Sequence, residues 1–414
     1  MADLKVSQEV DLGLLGIDGT VQYRVIKGVN TYRQSYSDLF SYINARVTLQ
    51  MVLDNDRSLT NNVARIGSNS GQGQTGSDVI FIGNKAGQAN SGSNCIGIGF
   101  EAIENNTDNQ TIGIGYKALR GNTGAAGTSM GYEAGISNTG DQIVAVGGYA
   151  GWTNTGIYVT ALGFEAAYTN TGANTVALGY RAARGNVAPN VIAIGNDAGF
   201  GNAGALGIFC GDNAGSGNTA ANLVAIGNSA GNNNTGVSSI LLGIGAGTSN
   251  IGDYCVAIGD NAAIGNQQTY CVAIGFNAGT GNSGGFLIGI GSNAGASNSG
   301  AEIVSLGSNA AFRNTGSNVI GIGLDAGKDN TGNEGVFLGT EAGNSNSGEN
   351  VVAIGAQAGE NNASSNNFII SNLSLPSFGT KAIADAFFAL ETLSIDCTYL
   401  YYDQSDSTIK GYRT

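Results

Sequence analysis

The residues best suited to chemistry in this chain are five cysteines, thirty acidic residues and several glycine-rich segments. The chain contains no histidine, which excludes histidine-based triads, histidine metal ligands and histidine general bases. The cysteines are odd in number and include no Cys-x-x-Cys pair, so we expect free buried thiols rather than a disulfide framework or a zinc site. The five cysteines are Cys95, Cys210, Cys255, Cys271 and Cys397.

Two further patterns superficially suggest an active site. Gly-x-Gly-x-x-Ala begins at Gly97, Gly113, Gly289 and Gly321, but no roughly 30-residue βαβ unit surrounds it, so we interpret it as a by-product of a repeat. A polysaccharide-cleaving site needs two carboxylates about 5–9 Å apart, usually in the wall of a cleft. The repeats contain no insertion that could form such a wall. We therefore predict no enzymatic activity, no metal and no cofactor.

The overall composition narrows the class of protein. Glycine accounts for 69 of the 414 residues, and only 11% of residues are charged, which is unusual for a globular domain. A hydrophobic content of 42% argues against disorder, and two prolines with irregular glycine spacing exclude collagen. The net charge of −13 disfavours nucleic-acid binding. With no apolar signal segment and no run of eighteen apolar residues, we expect cytoplasmic synthesis and assembly and no membrane insertion.

A strict repeat of 16 residues dominates the chain. Its anchor is the glycine of an Ile-Gly-like pair, which recurs at Gly83, Gly99 and every sixteenth residue to Gly355, after a degenerate unit at Gly67. Positions below are counted from this anchor. Position +3 is alanine and position +7 is asparagine in all eighteen regular units. A period without slippage predicts about 19 coils of an all-β parallel β-solenoid, on the order of 90 Å long at about 4.8 Å per coil.

Each repeat position suggests a place in the coil. The alternation in Val-x-Ala-Ile-Gly predicts a strand whose large residues at −3 and −1 fill the interior, while the small residue at −2 faces outward. Glycines at +4 and +9 would supply turns with positive φ. From Lys85 to Asp197 the charges at +2 alternate in sign wherever neighbouring coils are both charged, which predicts a solvated charged face. The asparagines at +7 predict a structural amide ladder. Its first members are Asn90, Asn106, Asn122, Asn138, Asn154 and Asn170.

At these residues the sequence resembles the head repeats of trimeric autotransporter adhesins, which repeat a Val-Ala-Ile-Gly-x-x-Ala core. The resemblance covers roughly residues 63–364 and implies a left-handed β-roll that assembles as a homotrimer. A trimeric autotransporter also needs a signal peptide and a C-terminal membrane β-barrel anchor, and we expect neither in this chain. The same roll occurs in tail fibres of phages and of injection particles. This context implies a fibre outside the cell, on a virion or particle, with tail or baseplate proteins and a host receptor or glycan as partners.

The two ends of the chain lose the period, which divides it into regions 1–62, 63–364 and 365–414. For the first region we predict a docking cap with a hairpin at an Asp-Gly turn and a helix capped by Ser37. For the last we predict a strand at Phe368, a helix beginning near Thr380 and a closing hairpin. Such mixed α/β caps would close the solenoid ends. Tyrosines in the closing hairpin either contact a receptor or pack a trimer cap. They are Tyr399, Tyr401 and Tyr402.

Aromatic side chains recur at positions +1 and +5 of the early coils. They form either a carbohydrate-stacking stripe or a set of contacts between chains, and packing between chains is the simpler interpretation. Those at +1 are Phe100, Tyr116, Tyr132, Phe164 and Tyr180, and those at +5 are Trp152, Tyr168, Phe200 and Phe312. Two other functions remain open at this point. One is a surface adhesin whose shaft contacts its target, and the other is an ice-binding solenoid with threonine or serine at +8.

Overall fold

A computed structural model of the chain describes residues 24–27, 30–33, 62–371, 399–403 and 408–412. Every regular element in these residues is a β-strand, and none of them is helical. The chain divides into two compact units, Met1–Ile369 and Ile370–Thr414. The helices predicted near Ser37 and Thr380 lie outside the described residues, as does the turn at Asp18-Gly19.

Short strands recur at intervals of one repeat through the central region. The first four are β3 Val63–Ile66, β4 Val79–Ile82, β5 Ile96–Ile98 and β6 Ile112–Ile114. They continue as β7 Thr128–Met130, β8 Ile143–Val146, β9 Val159–Leu162, β10 Thr175–Leu178, β11 Val191–Ile194, β12 Gly207–Cys210, β13 Leu223–Ile226 and β14 Ser239–Leu242. The remaining ones are β15 Val256–Ile258, β16 Cys271–Ile274, β17 Leu287–Ile290, β18 Ile303–Leu306, β19 Val319–Ile322, β20 Val336–Leu338, β21 Val352–Ile354 and β22 Phe368–Ile370.

The twenty strands from β3 to β22 form a parallel β-solenoid of about 19 coils, which confirms the architecture predicted from the repeat. Neighbouring strands pair in register with an offset of one repeat, so that Val191 pairs with Gly207 and Ile194 pairs with Cys210. A single inserted residue would move every later side chain onto the wrong face. The absence of insertions in the sequence is therefore the condition for this stack.

The orientation of the strands is the reverse of the prediction. In β11 the side chains of Val191 and Ala193, at positions −4 and −2, are buried, whereas Ile192 and Ile194, at −3 and −1, are exposed. The same alternation appears in β4, where Phe81 at −2 is fully buried. The interior is narrow, because the alanine at +3 is buried throughout the solenoid. Small residues at −2 therefore suit the inside, and the large β-branched residues are left on the outside.

The side chains at positions −4, −2 and +4 share the interior space, and a large residue at one of them is accompanied by a small residue at another. In two of the coils whose −2 residue is glycine, at Gly97 and Gly113, position +4 carries the fully buried Ile103 and Leu119. A Cβ on Gly97 would lie 2.5 Å from Cγ1 of Ile103. The large residue of one column therefore occupies the space that the small residue of another leaves free, which keeps the core close-packed.

At Phe209 and Phe337 the large residue stands at −2, and the small residues stand at −4 and +4. Phe209 is fully buried, and glycines stand at position −4 of its coil, Gly207, and at position +4, Gly215. A Cβ on either glycine would collide with the phenylalanine ring. Glycines surround Phe337 in the same way, at Gly335 and Gly343.

The glycines at +4 and +9 serve different purposes. At +4, Gly87 adopts a φ of 63°, as predicted for a turn. At +9 the prediction of positive φ is wrong, because Gly92 does not have it. A Cβ on Gly92 would instead collide with the backbone carbonyl oxygen of Asp108 in the next coil. At Gly92, glycine is thus favoured by the close approach of two backbones, although five other coils carry a different residue at +9.

Outside the solenoid the structure describes two antiparallel hairpins. In the first unit, β1 Arg24–Lys27 pairs with β2 Asn30–Arg33. In the second unit, β23 Tyr399–Asp403 pairs with β24 Thr408–Tyr412, which confirms the predicted closing hairpin. The strand predicted at Phe368 is also present, as β22.

Candidate interaction surface

The outward side chains at −3 and −1 form a continuous apolar surface along the solenoid, called here the outer sheet face. In β11, Ile192 and Ile194 are each 40% exposed, although isoleucine is normally among the most buried residue types. Exposed members occur from the first coils to the last. They include Ile80, Ile82, Met130, Val144, Leu162, Ile192, Ile194, Ile208, Ile226, Ile240, Ile258, Ile288, Ile290, Ile320 and Ile322.

The size of the outer sheet face sets it apart from scattered surface hydrophobics. Strands of about four residues at about 3.3 Å per residue, stacked at about 4.8 Å, give this face a flat area on the order of 1,000 Å². The largest apolar patch on a typical monomer is about 300–600 Å², and a standard interface buries about 800 Å² on each partner. The outer sheet face therefore has the size of a protein–protein interface.

The aromatic residues at +1 lie just beyond the C-terminal end of each strand and stack on one another. The ring centroids of Phe100 and Tyr116 are 5.3 Å apart, and those of Tyr116 and Tyr132 are 5.0 Å apart, with nearly parallel planes. Tyr149 contacts Tyr132 and Phe164 edge-on across the coil whose +1 residue is glycine. Tyr116 thus has a ring against each of its two faces, while the five rings at +1 remain 38–50% exposed. The choice between a sugar-stacking stripe and packing between chains stays a prediction.

The residues at +5 form a second stacked column. Trp152 and Tyr168 stack at 4.8 Å between centroids, and the guanidinium of Arg184 lies 5.1 Å from the Tyr168 ring and 5.6 Å from the Phe200 ring. Farther along, the guanidinium of Arg313 lies 5.1 Å from the ring of Phe312. Alternating rings and guanidinium groups leave mainly edges at the surface. This column stabilises consecutive coils through stacking and cation–π contacts.

A third aromatic column, at position −5, was missed by the sequence reasoning. Tyr254, Tyr270 and Phe286 stack with centroids 5.2 and 5.0 Å apart, just before the N-terminal ends of their strands. All three have left-handed backbone conformations, with φ of 52°, 58° and 38°. Asparagine is the commonest residue at −5, as expected for that conformation. These three and Tyr158 are four aromatic residues in a column of mainly polar ones, and they were the available signal in the sequence.

The predicted asparagine ladder is confirmed. Nδ2 of Asn106 donates to Oδ1 of Asn90 over 2.7 Å and to the carbonyl oxygen of Asp108 over 2.7 Å. Asn122, Asn138, Asn154 and Asn170 repeat the contact, and the ladder continues to Asn362. The six predicted asparagines are fully buried. From Asn106 to Asn170, both amide hydrogens are donated inside the protein, so these side chains serve the structure rather than a ligand.

The charged column at +2 is partly buried rather than solvated throughout. The carboxylate of Glu101 lies 3.2 Å from Nζ of Lys85, 4.0 Å from Nζ of Lys117 and 3.6 Å from Nε of Arg120. Only 8% of Glu101 is exposed, so the prediction of a fully solvated face is wrong at this coil. Farther along, Arg181 lies within 4.0 Å of both Glu165 and Asp197. These pairs link successive coils.

The described cysteines are free thiols. Cys95, Cys255 and Cys271 are buried at position −4, whereas Cys210 is half-buried at −1 on the outer sheet face, unlike the prediction that all thiols are buried. A hydrogen bond to Cys271, together with burial, raises the pKa of the Cys255 thiol. Cys397 lies outside the described residues. The buried thiols pack as small hydrophobic groups.

Two further predicted surfaces are the tyrosines of the closing hairpin and the threonine and serine residues at +8. The strand containing Tyr399, Tyr401 and Tyr402 is present, but their side chains lie outside the description, so the choice between receptor contact and trimer cap stays a prediction. At +8, Thr107 and Thr123 are exposed but lie outside the strands. A repetitive array on a turn lacks the flatness that the ice-binding hypothesis requires.

Within the described ranges, no helix has the length and apolarity that a membrane span needs. Those same ranges contain no group of three or more His, Cys, Asp or Glu residues placed to hold a metal ion. No protein family, curated protein or solved structure is detectably similar to this chain.

Proposed function

We propose that the protein is a non-enzymatic structural fibre in which three copies pack through their outer sheet faces into a rigid rod. The observation that carries this proposal is the outer sheet face itself, an exposed apolar surface of interface size that continues along the solenoid. The resemblance of the repeat to trimeric adhesin heads supports three copies. The stack of about 19 coils would give such a rod a length on the order of 90 Å.

Three features within one chain support rigidity. The asparagine ladder ties consecutive coils inside the solenoid, the ion pairs around Glu101 tie them outside, and the aromatic columns stack across them. Most of these contacts join a residue to its equivalent 16 positions away, so bending the rod would strain many of them together. A fibre that transmits contact from its tip to a particle needs this stiffness.

The fibre belongs, we propose, to a phage tail or a phage-like injection particle and supports attachment to a host. Its partners are then two further copies of this chain, a tail or baseplate protein, and a host surface receptor or glycan. It is assembled in the cytoplasm and acts on the virion or particle outside the cell. The resemblance of the repeat to tail-fibre rolls supports this setting, and the Tyr399–Asp403 hairpin is the proposed tip.

The mass of the purified full-length chain in solution, measured by light scattering, tests the fibre directly. The expected value is about 125 kDa, three times the 41.6 kDa chain. A mass of 41.6 kDa over a wide range of concentrations would overturn the three-chain fibre. Binding of the labelled trimer to intact bacterial cells then tests attachment, and the matched control replaces Tyr399, Tyr401 and Tyr402 with alanine.

A further inference from the structure

The structure points to a specific contact between the chains of the fibre, at the two edges of the outer sheet face. We call the −5 column the leading edge and the +1 column the trailing edge. We propose that the trailing edge of one chain packs in register against the leading edge of a second copy, and that the aromatic residues of both edges form this seam. The proposal rests on the proposed three-chain fibre and specifies how its chains meet.

Strand direction determines which edges can meet. All strands from β3 to β21 run parallel within a chain, so every coil enters the sheet at its leading edge and leaves at its trailing edge. In a ring of copies around an axis along the solenoid, each chain makes a heterologous contact with the next. Rotation about that axis does not change the position of a coil along the axis. The trailing edge of each coil therefore faces the leading edge of the same coil in the neighbouring chain.

In six coils an aromatic residue at one edge is matched by a smaller or polar residue at the other edge of the same coil. In the early coils the trailing edge carries the ring and the leading edge a smaller or polar residue. These pairs are Phe100 with Asn94, Tyr116 with Gln110, Tyr132 with Ala126 and Tyr180 with Asn174. In later coils the roles are exchanged, since Tyr254 pairs with Asp260 and Phe286 with Ser292. In two coils both edges are aromatic, Tyr158 with Phe164 and Tyr270 with Phe276.

The leading edge has a left-handed backbone conformation in every regular coil, so an aromatic residue there carries the cost of that conformation. This conformation is unfavourable for any non-glycine residue. Tyr254, Tyr270 and Phe286 adopt it while remaining 51%, 51% and 55% exposed. Bulky residues in such a conformation point to a functional constraint. Burial against a second copy would offset the cost, because an aromatic side chain buries about 150–250 Å².

Cysteine cross-linking tests the seam. In a background with Cys210 and Cys397 replaced by alanine, the double variant Phe286→Cys with Ser292→Cys places one thiol on each edge of the same coil. Six residues of extended chain separate them by roughly 20 Å, so a disulfide within one chain is impossible. Oxidation is expected to give covalent trimers on a non-reducing gel. A matched control, Phe286→Cys with Thr340→Cys, offsets the thiols by three coils, roughly 14 Å, and should not cross-link.

Light scattering on the same samples separates the two proposals. If the protein is a trimer and the offset control also forms cross-links, the proposed seam is wrong. The seam is equally wrong if the protein is a trimer and neither variant forms cross-links. Both results remain compatible with a three-chain fibre. A monomer would overturn the fibre itself. If replacing Phe286 prevents folding, the pair Asn190→Cys with Asn196→Cys repeats the test at two exposed polar positions. Cross-linked trimers from that pair would support the seam, and a folded trimer without cross-links would contradict it.

Discussion

Nδ2 of Asn218 lies 2.8 Å from Oδ1 of Asn202, one coil earlier, and 2.8 Å from the carbonyl oxygen of Ala220 in its own coil. The same side chain accepts a hydrogen bond from Asn234 of the following coil over 3.1 Å. One buried amide thus links three consecutive coils. Removing it leaves several polar groups without partners at once.

We expect Asn218→Ala to destabilise the solenoid by about 3 kcal/mol or more, since each unsatisfied buried polar group costs about 1–3 kcal/mol. Hydrogen exchange should rise locally, in peptides covering the coils of Asn202, Asn218 and Asn234, because repeat stability depends on nearest neighbours. The matched control is Thr219→Ala, an adjacent exposed residue. Equal exchange in both variants would contradict a structural role for the ladder.

A compensating pair should reveal the exchange of volume in the interior. Gly207→Val forces a side chain against the Phe209 ring and should cost about 1–3 kcal/mol. Phe209→Ala leaves a cavity and should cost about 3–5 kcal/mol. The double variant gives this coil the Val and Ala of the preceding one, Val191 and Ala193, so it should be more stable than the sum of the two losses implies. If chemical denaturation shows that the two losses of unfolding free energy simply add in the double variant, the residues at −4 and −2 do not compensate each other in size.

Charges on the outer sheet face should separate the chains without unfolding them. We expect Ile192→Asp with Ile194→Asp to lower the mass in solution from trimer to monomer, because the interface would bury unpaired carboxylates. The far-ultraviolet circular dichroism should keep its β-sheet spectrum, since both side chains point outward. Thr219→Asp with Thr235→Asp adds the same charge at exposed positions and should leave the trimer intact. Dissociation of that control would mean that charge alone separates the chains.

The thiols should differ in reactivity according to their position. Cys255 should resist thiol reagents at neutral pH, because burial and the Cys271 hydrogen bond raise its pKa and lower its thiolate fraction. Since the folded state favours the protonated thiol, this contribution to stability is present below the ordinary pKa of 9.0 and is lost as the pH rises through the raised value. Mass spectrometry after thiol labelling measures the reactivity of Cys255 directly. Rapid labelling of Cys255 in the folded protein would contradict its burial.

Cys210 should report on the outer sheet face. It is half-buried within one chain, so a monomer should label quickly, whereas the trimer should protect it. The comparison uses the native protein and the Ile192→Asp, Ile194→Asp variant under the same conditions. Equal labelling rates in a confirmed trimer and in the monomeric variant would place the interface on another face.

Asp108 provides a test at acidic pH. Partial burial, and secondly the charge of Asp141, raise the pKa of the Asp108 carboxyl. A raised pKa means that the folded state favours the protonated form, so ionisation at neutral pH costs stability. Asp108→Asn should therefore give a small increase in Tm at pH 7. The increase should vanish well below pH 3.8, where Asp108 is protonated in both states. An increase that persists at acidic pH would require a cause other than charge.

The sequence by itself determined the repeat and everything that follows from an unbroken period. Sixteen residues per unit without insertion require a coil that stacks on itself, so the parallel register, the number of coils and the asparagine ladder could be predicted. Asn90 and Asn106 occupy equivalent positions, and equivalent positions in a solenoid are neighbours in space. The closing hairpin was predictable for a similarly local reason, two strand-like runs around a polar turn.

Only the tertiary structure decided which side of each strand faces inward. Alternation separates Val191 and Ala193 from Ile192 and Ile194, but both sets are apolar, so the pattern alone does not say which set is buried. The narrow interior decides it, because the buried alanine at +3 leaves room for Ala193 and not for two columns of isoleucine. The close approach of Gly92 to Asp108 depends equally on the spacing of two coils. That spacing is a relation between backbones, which no local pattern of residues records.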